Sequence, residues 1–136
     1  MVEITATYKG QLRTVATHTE SGVQLITDAP VDNHGKGESF SPTDLCATAL
    51  INCMATIMGI KADKLGIDLT GMTLRVEKHM SKDPPRRIVA LPVEIHAPAS
   101  VPVDKRASLE HCCRACPVFQ SLHPAIDKTI RFHWDA

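Results

Sequence analysis

Five cysteines, at positions 46, 53, 112, 113 and 116, are the side chains of this 136-residue chain best suited to chemistry. Cys116 stands directly before Pro117, and residues 117–122 can form a short helix with Cys116 as its N-cap. A sulfur there meets unsatisfied backbone N–H groups and the positive end of a helix dipole, which can draw a thiol pKa from ~8.5 into the range of roughly 3.5–7.5. Read locally, Cys116 is either a thiolate near neutral pH or a small buried residue closing a corner between helices. Cys53 sits in mid-helix without that help, so it is a core residue unless a tertiary neighbour activates it. An arginine from an early strand would serve, and Arg13 is the only arginine before residue 75. Taken alone, Arg13 also reads as a solvated strand residue.

His111, Cys112, Cys113 and Cys116 form an H-C-C-x-x-C run, and C-x-x-C serves both zinc sites and redox pairs. A zinc site wants a second ligand pair of similar spacing, and neither that nor an H-E-x-x-H arrangement is present, so no metal is expected. Residues 33–37, Asn-His-Gly-Lys-Gly, lack the spacing and the strand-to-helix context of a phosphate loop, so no nucleotide or other cofactor is expected either.

The 15 basic and 15 acidic side chains cancel and are scattered, which offers no electrostatic footprint for nucleic acid or an anionic membrane. The apolar stretch at residues 45–60 is shorter than the ~20 residues of a spanning helix and reads as a buried one. The first residues show no basic segment followed by an apolar run, and an odd cysteine count differs from a secreted disulfide framework. A cytoplasmic protein folding as a single domain over residues 1–136 is expected.

The elements that must position these groups follow from periodicity. Val2, Ile4, Ala6 and Tyr8 alternate with polar residues as in a half-buried strand, and residues 12–18 and 23–27 continue an antiparallel meander. Residues 28–40 form a long loop. Ser41-Pro42-Thr43-Asp44 is a helix start with a capping box, and a helix of about 20 residues follows, with Leu45, Ala49, Cys53 and Ile57 on one row and Cys46, Leu50, Met54 and Met58 on the next. Alternating residues around Asp83-Pro84-Pro85 read as a hairpin. A second helix begun by Asp104 carries Ala107 and Cys112 or Cys113 inward, and Ile130, Phe132 and Trp134 mark a last strand. The order βββ-α-ββ-α-β makes an α+β domain around a long central buried helix.

These segments resemble the OsmC-like family, which includes the organic hydroperoxide resistance proteins. The resemblance rests on Ser41-Pro42-Thr43-Asp44-Leu45 leading into residues 47–54, Ala-Thr-Ala-Leu-Ile-Asn-Cys-Met, and on residues 116–124, Cys-Pro-Val-Phe-Gln-Ser-Leu-His-Pro. It extends to the Asp83-Pro84-Pro85-Arg86-Arg87 turn and the closing strand. The resemblance implies an intertwined homodimer with sites at the subunit interface and a hydroperoxide substrate. It assigns Cys53 as the peroxidatic residue, Cys116 as the resolving residue that forms a disulfide with it, and Arg13 as the thiolate-stabilising arginine. A thiol reductant, in relatives a lipoyl-type dithiol, would restore both thiols. Where family peroxidases carry a glutamate after the helix-starting proline, this chain has Thr43, and either Asp44 or Glu38 could substitute.

The alternative is a non-enzymatic redox-sensing or small-molecule-binding protein on the same scaffold; a third reading is a dimer whose C-terminal cysteines bind metal. For a peroxidase, Phe40, Phe119 and the central-helix methionines are expected to line an apolar pocket, and Arg13→Ala is expected to slow the reaction with little effect on the fold.

Overall fold

Strand signals in the first third of the chain become an antiparallel meander of β1 (Ile4–Gly10), β2 (Arg13–His18) and β3 (Gln24–Asp28). The structure, a computed structural model, describes residues 1–136, which divide into two units, Met1–Cys46 and Ala47–Ala136. In the first unit β2 is central, and its register with β3 places Arg13 opposite Asp28. The tight β1–β2 turn uses left-handed backbone at Gly10, Gln11 and Leu12. β1 is not half-buried as its alternation suggests: Ile4 and Tyr8 are 67% and 64% exposed, because nothing in this unit covers either face of the strand.

Residues 29–40 hold a short 3-10 turn, Val31–Asn33, and fold back so that Phe40 C=O accepts the Asp28 N–H at 3.0 Å. Gly35 is obligatory there, since a Cβ would lie 1.7 Å from the Ala29 carbonyl oxygen. Ser41 and Asp44 close the anticipated capping box: Asp44 N–H donates to Ser41 Oγ at 3.1 Å, and Ser41 N–H donates to Asp44 Oδ2 at 2.9 Å.

Helix α1 (Pro42–Leu65) runs 24 residues, longer than the apolar stretch implied, and ends where Gly66 turns left-handed and Ile67 N–H reaches back to Ala62 C=O. By length and composition α1 could cross a membrane. In the fold its row Leu50, Met54, Met58 and Ala62 packs into the core instead. Ala47 takes the inner position at the start of that row, while Cys46, expected there, is exposed because successive helical positions diverge by about 100°.

In the second unit β7 (Val93–Ala97) is the centre of a mixed sheet, antiparallel to β4 (Thr73–Val76) and parallel to β8 (Ile130–Trp134). β5 (His79–Met80) and β6 (Ile88–Ala90) pair separately around the Asp83-Pro84-Pro85 turn, so the expected hairpin is two short ladders rather than one. The Glu77–Lys78 and Leu91–Pro92 pairs interrupt it, Pro92 having no N–H to donate. Helix α2 (Val103–Cys113) starts at Val103 after Pro102 with no side-chain cap, and Asp104 lies in its first turn. It buries Leu109 and Cys113, while Ala107 faces solvent. Trp134 Nε1–H donates to Glu110 at 3.0 Å and its ring receives the Arg106 guanidinium at 5.2 Å, tying β8 to α2. The buried face is completed by Leu91, Val93, Ile95 and Val101.

Candidate active site

Pro117 at the first helical position starts α3 (Pro117–Ser121), and Cys116, in extended conformation, caps it by accepting the Phe119 N–H on Sγ at 3.2 Å. Only five residues long, α3 brings little dipole, and the cap is wholly buried. Burial dominates: it pushes the Cys116 thiol up to about 11 against the opposing Phe119 hydrogen bond, with the neighbouring Cys53 thiol pushing the same way. Burial therefore keeps the Cys116 thiol protonated at neutral pH.

Cys53 lies on α1 at the margin of the core cluster that contains Cys116. The Cys53 thiol is near enough to Cys116 to help hold the proton on it. Residues far apart in sequence thus place two free sulfurs together, one half-buried and one fully buried. Of the other cysteines, Cys46 is exposed and Cys112 donates its S–H to Leu109 C=O at 3.1 Å. Cys113 is buried and pushed up to about 12, first by desolvation and then by Cys112 and Cys116. His111 is exposed while Cys113 and Cys116 are buried, so the H-C-C-x-x-C run faces several different surroundings.

Protonated thiols leave a signature in stability. Cys113 and Cys116 bind their protons more tightly in the folded chain than at their ordinary value of 9.0. Their contribution is fully present below about pH 9 and is lost as pH rises through about 11 and 12. Thermal unfolding under reducing conditions is expected to hold steady with respect to these groups up to pH 9 and to decline above it, and Cys113→Ala should flatten part of that decline. Identical alkaline profiles in the two proteins would remove Cys113 from this account.

In the first unit Arg13 is engaged by two carboxylates, Glu38 at 2.9 Å and Asp28 at 3.4 Å. Asp28 is 1% exposed, accepts the Glu38 backbone N–H at 3.0 Å, and keeps its Oδ1 without a hydrogen-bond partner. The Glu38 N–H, and after it the Arg13 charge, hold the Asp28 carboxyl below its usual range. Glu38, rather than a residue at position 43, is thus a carboxylate partner of Arg13, while Asp44 is used in the helix cap. Asp28 was missed from sequence because it was assigned to the loop; extending β3 by one residue puts it directly across from Arg13.

Phe119, Leu122, Pro124 and Ile126 line a groove of about 560 Å³ beside α3. Met54 and Met58, expected in such a pocket, are fully buried in the core and do not reach it.

The model of the OsmC-like protein family matches residues 35–131. The chain belongs to the OsmC-like family. A solved protein of Psychrobacter arcticus 273-4, named for osmotic stress induction and the detoxification response, is 44% identical over 98% of this chain and 96% of its own, with a TM-score of 0.92. The organic hydroperoxide resistance protein OsmC of Legionella pneumophila is 18% identical over 98% of this chain and 96% of its own, with a TM-score of 0.74. OhrB of Bacillus subtilis, an organic hydroperoxide resistance protein, is 14% identical over 97% of both chains, with a TM-score of 0.71. At these identities the latter two share the fold. No curated protein matches. The expected α+β architecture of an OsmC-like protein is therefore the one observed.

Proposed function

We propose that this OsmC-like protein is a thiol-dependent peroxidase that reduces hydroperoxides, organic ones in particular, in the cytoplasm. The closeness of the Cys53 and Cys116 thiols, brought together from distant parts of the chain, carries the reading, with the family membership beside it. Cys53, as thiolate, attacks the distal peroxide oxygen; the O–O bond breaks, Cys53 becomes a sulfenic acid, and the alkoxide leaves as alcohol after taking a proton. Cys116 then loses its proton and attacks the Cys53 sulfur, expelling water and forming the disulfide. A small dithiol of the lipoyl type returns both thiols by exchange and is itself oxidised to a cyclic disulfide. The groove beside α3 offers Phe119, Leu122, Pro124 and Ile126 to an organic substituent on the peroxide, with Gln120, Asp127, Lys128 and Thr129 making up the rest of its lining.

The working protein in this proposal is a homodimer. Apolar side chains left open support it: Ile26, Phe40 and Ile60 are each 49% exposed, besides Ile4 and Tyr8. Light scattering at micromolar concentration should give twice the chain mass, and a well-folded monomer there counts against a site completed by association.

Arg13 is assigned to stabilise the Cys53 thiolate, steered by Glu38. Arg13→Ala should slow peroxide consumption by about tenfold or more, because losing a stabilising cation lowers a thiolate population by about that factor. Contrary to the simple expectation of an unaffected fold, the same substitution leaves the buried Asp28 without its counter-ion. The double substitution Arg13→Ala with Asp28→Asn should recover stability but not rate. Recovery of both would reduce Arg13 to a structural partner of Asp28. Consumption of peroxide with dithiol turnover separates the enzyme from a redox sensor, which would oxidise once and stop.

A further inference from the structure

β7 alternates cleanly: Val93, Ile95 and Ala97 are buried, so Glu94 and His96 project from the opposite face of the sheet, away from the core. The parallel β7–β8 register sets His96 beside His133. Their imidazoles stack with centroids 4.5 Å apart and planes 14° from parallel. Asp135 accepts from His96 Nδ1 at 2.8 and 3.1 Å. That bond assigns the Nδ1 proton in the neutral ring and leaves the lone pair on Nε2, the arrangement by which a carboxylate orients a metal-binding histidine. Glu94 stands one pleat along the same strand, and ligand atoms of Glu94, His96 and His133 all lie within 4.8 Å of one another.

We propose that Glu94, His96 and His133 form a binding site for a borderline divalent transition ion, Zn²⁺ foremost, with Asp135 as the positioning residue for His96. Two imidazoles and one carboxylate are the donor set such ions take, and a tetrahedral ion would complete its shell with water. Ligand atoms about 2.0–2.1 Å from one tetrahedral ion are roughly 3.4 Å apart, so binding requires the stacked imidazoles to turn out of parallel and converge on the ion. Arg131, in register with Glu94, and Arg75, paired with Glu77 at 2.9 Å, keep this face from being an anionic cluster. Selection therefore comes from the imidazoles, and Mg²⁺ or Ca²⁺, which prefer all-oxygen shells, should not compete. The site uses neither Cys53 nor Cys116, and stands or falls independently of the peroxidase reading.

The test is Zn²⁺ competition against a chromophoric chelator, with Co²⁺ absorption as the reporter of ligand type, on untagged reduced protein. One ion per chain is expected, with a Co²⁺ spectrum free of thiolate charge-transfer bands. Asp135→Ala should weaken binding about 10–100-fold, the usual cost of losing an outer-shell partner. His96→Gln and His133→Gln, on an open strand face where circular dichroism can verify the fold, should each weaken it by at least that much. Unchanged affinity in the two histidine variants, thiolate bands in the Co²⁺ spectrum, or no binding by the wild type overturns the site.

Discussion

Cys53→Ser is expected to abolish peroxide consumption, since a serine hydroxyl neither ionises near neutral pH nor forms a sulfenic acid. Cys116→Ser should behave differently: it reacts once, stalls at the Cys53 sulfenic acid, and under excess oxidant advances to sulfinic and sulfonic forms. Wild-type protein treated with one equivalent of hydroperoxide should lose both thiols and a mass of two hydrogens, with no oxygen retained. Intact-mass measurement and peptide mapping check all three. The competitor for the resolving role is Cys113, which also lies near Cys116. Burial raises both thiols and raises Cys113 the more strongly, with Cys116 itself adding to the shift, so Cys116 is the readier of the two to supply the attacking thiolate. Its closeness to Cys53 adds proximity to that advantage. A mapped Cys113–Cys116 bond with Cys53 still reduced would instead establish a local C-x-x-C redox pair.

The second large effect is on stability. Leu50 is fully buried on the α1 row that meets the sheet, packed among Met54, Leu91, Ile95 and their neighbours. Leu50→Ala removes transfer free energy and leaves a cavity, and should cost about 2–5 kcal/mol. For a chain of this length the thermal midpoint should fall by roughly 10–20 °C. Ile60, on the same helix but 49% exposed, provides the contrast. Ile60→Ala should change the unfolding midpoint of dilute protein little and, if the proposed dimer forms through this face, shift the concentration dependence of association instead. If Leu50→Ala and Ile60→Ala lower the midpoint equally, the described division of α1 into a buried row and an open face is wrong.

Much of this protein was legible locally. Ser41-Pro42-Thr43-Asp44 announced the start of α1 because a capping box is made within four residues. Cys116-Pro117 announced the capped α3 for the same reason. The alternating residues beyond Asp83-Pro84-Pro85, Val93 and Ile95 among them, announced the strand that became β7. Short-range geometry decides all of these, and short-range geometry is written in neighbouring residues.

Burial and pairing were decided only in three dimensions. The helix cap left Cys116 open between an activated thiolate and a buried thiol; its desolvation is set by the core cluster it joins and outweighs a single N–H. Arg13 looked solvated until the β2–β3 register set it against Asp28 and the following loop brought Glu38 over it. His96 and His133 were isolated histidines until parallel pairing of β7 with β8 stacked them beside Glu94. β1 carried the pattern of a half-buried strand, yet a period of two reports only which side chains share a face. Whether that face meets a core, a partner or water is a property of long-range packing, whose free energy depends on residues distant in the chain.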